Sequence, residues 1–209
     1  MQVYQYDAPE ALQTRSHPWA GSLANPAHRH LDLRAHPELI RTSLEDFLPF
    51  AAWAATETFY RLLAGLNAPD SLLETNDCAF NGVSENTSPQ FARGLQCSGR
   101  VMLLFRELAL NTRANRVERL TQAVARSLSV TDPTFEWGVV GATIMSVRYV
   151  TLPGPPARQL GQQLMLSFWA FGDDEDEVMG HLDRTLSGVT TALAAVSKSL
   201  RREMGPDSV

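Results

Sequence analysis

Lysine is almost missing from this 209-residue chain: seventeen arginines stand against one lysine, Lys198. With the many alanines, that bias reads as a GC-rich bacterial genome; avoidance of lysine modification in a host cell is the weaker alternative. Cysteine is nearly as scarce. Two residues, Cys78 and Cys97, cannot staple a chain of this length, so a disulfide scaffold is excluded. Long apolar runs are missing too. The nearest, "FLPFAAWAA", is less than half of what a membrane span needs, and "MQVYQYDAPE" has no basic stretch leading into an apolar one. These features predict a soluble, cytoplasmic protein, and are compatible with delivery by a specialised secretion system. The net charge of −5 argues against nucleic acid as a partner, because a general binder of phosphate backbones carries a basic stripe. There is no glycine-rich phosphate loop, no G-x-S-x-G, no H-E-x-x-H and no paired CxxC, which lowers the expectation of an enzyme. No cofactor is called for.

What remains is ordinary globular usage, 44% apolar and 20% charged, enough for one sizeable core. Residues 1–41 hold Pro9, Pro18, Pro26 and Pro37 and no sustained apolar period. They read as an irregular arm, with a short strand at "VYQY". A single domain follows over 42–205. "TSLE" has capping-box spacing, with Thr42 as N-cap and Glu45 three positions on. For the apolar run Phe47 to Leu66 the expectation is a short turn, then a fresh helix with Pro49 at its first position. "SLLETNDCAF" and "RVMLLFREL" read as strands, and Val117, Leu120, Val124 and Leu128 fall on one helical stripe.

Two long alternating runs, 135–151 and 158–171, flank "LPGPPA" and predict a hairpin, with Gly138 and Gly141 marking a bulge or a sharp coil in the first arm. The last element opens on five consecutive acids, 173–177, and closes on Lys198, Arg201 and Arg202. That polarity complements a helix macrodipole. Its apolar positions, Leu186 and Leu193 among them, form a seam of nearly four heptads. Such a seam is packed across a twisted sheet or shared with a second copy in a homodimer. The sum is an α+β fold, a mainly antiparallel twisted sheet backed by helices. Over roughly residues 42–203 this order of elements is similar to the αβββαββα order of the type III secretion chaperone fold, a likeness of element order that does not by itself fix function.

Candidate sites are few. Cys78, beside Asp77 and with His181 as the domain's one histidine, is the candidate nucleophile; its acidic neighbours favour a buried structural thiol. Residues 84–99 read as a long irregular loop, a lid or recognition loop with Phe91, Arg93 and Leu95 as contacts, or a covered connection with Phe91 tucked inward. Arg113 and Arg116 begin a basic helix face that could grip an acidic partner. In "HRHLDLRAH", His28, His30, Asp32 and His36 form a weak metal-ligand pattern. The function expected is a non-catalytic protein-binding domain: a chaperone, adaptor or immunity-type inhibitor. The alternative is a cysteine-dependent enzyme or small-ligand binder working near Cys78 and the 84–99 loop.

Overall fold

The computed structural model describes residues 1–6, 15–18 and 30–204. Six strands make one mixed sheet: β1 (Gln2–Gln5), β2 (Arg15–His17), β3 (Leu73–Glu85), β4 (Leu95–Phe105), β5 (Gly138–Tyr149) and β6 (Leu160–Gly172). The helices are α1 (Leu39–Thr42), α2 (Ala54–Asn67), α3 (Leu108–Asn111), α4 (Ala114–Thr131) and α5 (Glu175–Met204). In space the strands run β1-β5-β6-β4-β3, with β2 also on β5. β5, β6, β4 and β3 are antiparallel neighbours, as expected. The arm does more than the sequence promises: β1 and β2 both lie parallel to β5 and make the sheet mixed.

One face of the sheet buries Val101, Leu103, Val140, Leu164, Leu166 and Phe168 against α2, α4 and α5. The seam of α5 is spent here. Leu186 and Leu193 are 1% and 3% exposed within the single chain, so the seam packs across the protein's own sheet. The acids at its start form a reciprocal cap. Glu177 N–H donates to Asp174 Oδ1 (2.8 Å), and Asp173 N–H donates to Glu177 Oε2 (2.7 Å).

Four expectations need correcting. Thr42 ends α1 and does not cap a helix with Glu45; its hydroxyl donates back to the Glu38 carbonyl (3.2 Å). Residues Glu45–Phe50 form a 3-10 turn around Pro49, which lacks an amide N–H, and α2 starts only at Ala54. Phe47 fixes that turn by stacking on Phe59 and Phe80, with ring centroids 4.4 and 4.7 Å away. No bulge occurs at Gly138 or Gly141, since β5 and β6 pair in unbroken register from Gly138 to Arg148. Those glycines instead leave room: a Cβ on Gly138 would strike Thr185 and Phe135, and one on Gly141 would strike Tyr6. Finally, the 84–99 loop is shorter than expected, because β3 runs to Glu85 and β4 begins at Leu95, which leaves 86–94 as the connection. Between α2 and α4 the chain makes two strands, one fewer than the αβββαββα order.

Candidate functional site

A cleft of about 600 Å³ lies beside β3, the strand at one end of the sheet. Its inner wall is Thr75, Asn76, Asp77, Cys78 and Ala79; its outer wall is the run Thr42–Phe47 together with Leu31 and Leu33. Side chains alternate between the faces of a strand. Five consecutive residues can therefore line one cavity only if it follows the strand's edge. A register shift between Thr75 and Asp77 modifies the alternation. It brings two successive side chains, Asn76 and Asp77, to the face that lies away from α2, as their partners show.

Those partners are charged or buried. Asp77 Oδ2 accepts from Arg15 (2.5 Å) and from Arg100 (3.2 Å), so one carboxylate holds two guanidiniums in the cleft. Asn76 Nδ2 donates to Gln163 Oε1 (3.0 Å), and its Oδ1 lies 2.8 Å from His17 Nδ1. The other ring nitrogen of His17 faces Glu74 Oε1 at 3.5 Å. Arg34 pairs with the same carboxylate at 2.8 Å. Gln163 is fully buried, and His17, Glu74 and Asn76 are each less than a tenth exposed. This network ties the arm to the sheet. His30 joins it to the cleft: it lines the cavity and meets the His17 ring edge-on at 5.5 Å. Burial, then the neighbouring His17, lowers the His30 pKa. The outer rim is different in kind. Glu45 and Asp46 are exposed, and neither forms an ion pair with any described residue.

Cys78 borders this cleft and packs against the helix-side core, on the opposite face from Asp77. Burial first, then the Asp77 and Asp46 carboxylates, push its thiol up to about 12. His181 is elsewhere. Its Nδ1 lies 2.6 Å from the Phe171 carbonyl, and its ring packs near Phe135 and Trp137. Cys78 is level with Val101 and Leu166, so His181 contacts β6 two strands over and five residues further along. At about 3.3 Å per residue, that offset alone is roughly 16 Å. The fold does not make a Cys–His pair of them.

The remaining candidates disperse. Phe91 is tucked inward, stacked 3.9 Å from Phe171, and Arg93 lies over Trp137 (4.1 Å) while pairing with Asp173 and Glu177. Asn86 Nδ2 donates to the Phe91 and Arg93 carbonyls, which pins the turn, and Leu95 pairs with Glu85 and Gly172. The stretch is thus a covered hairpin connection. Arg113 and Arg116 sit at the start of α4, form no ion pair with any described residue, and line no part of the cleft. Of the histidine pattern, His28 lies outside the described residues. Asp32 is engaged by the Arg34 and Ala35 amides (3.0 Å each), and His36 reaches Glu38 at the surface (3.3 Å). Among the described residues, no three of His, Cys, Asp and Glu gather as a metal site would require, and no helix is long and apolar enough to cross a membrane.

Glu74, Asn76, Gln163, Arg15, Arg100 and His17 were missed as a group by sequence reasoning. The one signal available was "ETND", a polar run where a half-buried strand should alternate. No protein-family model, curated protein or solved structure matches the chain.

Proposed function

We propose that this is a protein-binding domain, of the chaperone, adaptor or inhibitor kind, working in the cytoplasm without chemistry of its own, and that its contact surface is the β3 cleft. The observation that carries the reading is the cleft's position: it runs along the edge of a sheet, where backbone groups stand ready for another chain. The charges inside support it, since Asp77 is matched by Arg15 and Arg100, and the one thiol present is held in its unreactive protonated form. The seam of α5 is not the surface offered, because the chain's own sheet occupies it.

Selection from a random dodecapeptide library displayed on phage, against the immobilised protein, tests this. Binders are expected that are lost with Ala79→Trp on the inner wall or Ser43→Trp on the outer, in variants whose circular dichroism and melting match the parent. No binders, or binders indifferent to both substitutions, would overturn the reading.

A further inference from the structure

We infer that the occupant of the cleft is an extended segment of another protein, which adds to the sheet as a strand beside β3 and sets a lysine or arginine between Glu45 and Asp46. This rests on the protein-binding reading and makes it specific. Its first support is the backbone. β3 pairs with β4 on one side only, and among the described residues no backbone group of Asp77–Phe80 bonds outward from the sheet. Buried or bordered backbone groups need partners, and an added strand supplies them in register.

Geometry limits the guest. Register shifts at Thr75/Asp77 and Phe80/Val83 divide the edge, and Asp77 to Phe80 is its longest unbroken stretch. Four residues of strand, at a 3.3 Å rise, 4.8 Å spacing and about 10 Å thickness, occupy roughly 600 Å³. That is the size of the cleft. The bulges also keep the edge short, which blunts it against pairing with further copies of itself.

Charge selects the side chain. The acid on the inner wall, Asp77, already holds two guanidiniums, so it attracts no further cation. Glu45 and Asp46 on the outer wall hold none, and the whole chain carries −5. A guest with a basic side chain on that wall neutralises the rim; an acidic guest meets two carboxylates.

The peptides selected as above serve as probes. Sequencing is expected to show enrichment in lysine or arginine flanked by β-branched residues. Amide hydrogen exchange followed by NMR should slow at Asp77–Phe80 on binding. Glu45→Gln with Asp46→Asn should weaken the peptides roughly fivefold and flatten their salt dependence, as two rim ion pairs would. Cleft-dependent peptides that leave those amides unprotected would overturn strand addition, and cleft-dependent peptides indifferent to the rim substitutions would overturn the charge assignment; either leaves the protein-binding reading standing. Absence of any cleft-dependent peptide overturns both.

Discussion

At Cys78 two opposed expectations, reactive thiol and buried filler, meet in one side chain. It borders a cleft, as a nucleophile should, yet its surroundings are a core and two carboxylates. With the thiol pushed up to about 12, the thiolate population at pH 8 falls more than about a thousandfold below that of an ordinary cysteine. Iodoacetamide should therefore label the folded protein slowly at pH 8 and rapidly in urea. Fast labelling of Cys78 in the folded state would revive the cysteine-dependent reading. The sign of the linkage follows: a raised thiol pKa favours folding below the ordinary thiol value, and that contribution fades as pH climbs towards 12. The same scale shows what could not be read in advance. Gln163 and Asn76 sit in strand positions that pattern alone fills with apolar residues, and only the fold shows that each is the other's partner. The tethering of Asp77 by Arg15, sixty-two residues earlier, is likewise invisible to spacing.

Among the elements, legibility tracked length and periodicity. α5 was readable because acids, bases and a seam agree over thirty residues, and β5 and β6 because their arms alternate about a Pro-Gly turn. β1 was legible as a short strand at "VYQY", though not its parallel seat on β5, whereas nothing in the three residues "RSH" distinguishes β2 from loop. The turn at Glu45–Phe50 misled because its apolar residues continue into α2 without a break. What the seam of α5 does is now a question of packing. Leu186→Ala, which empties a site 1% exposed, is expected to cost about 2–5 kcal/mol in urea denaturation. Light scattering should give an unchanged mass. A fall in mass at unaltered stability would instead show the seam to be an interface between copies.

For the whole molecule, acid is the informative condition. Hydrogen bonding from Arg184 holds the Asp132 carboxyl below its ordinary value, and Arg93 with the Gly94 amide does the same for Asp173. The Ala35 amide, above all, lowers Asp32. A depressed carboxyl favours folding above its ordinary pKa, about 4, and loses that contribution as pH falls through the folded value. Tm should begin to decline below about pH 6.5, where half-buried His30 resists the proton that the unfolded chain takes up, and drop further below about pH 4. Asp132→Asn should lower Tm at pH 6 and matter less at pH 3; the opposite order would contradict the pairing. These bonds join segments far apart in sequence, Asp132 to Arg184 and Arg93 to Asp173, so losing them loosens the domain as a unit.

The parallel seating of β1 and β2 on β5 has a consequence for how the chain is made. Gln2 aligns with Val139 and Arg15 with Val147, so both segments lack a place in the sheet until the hairpin that follows them has been synthesised. Pairings of such separation form slowly and late. Until then the nascent polypeptide carries two short segments without a sheet neighbour, and completing the sheet is an act of return by both.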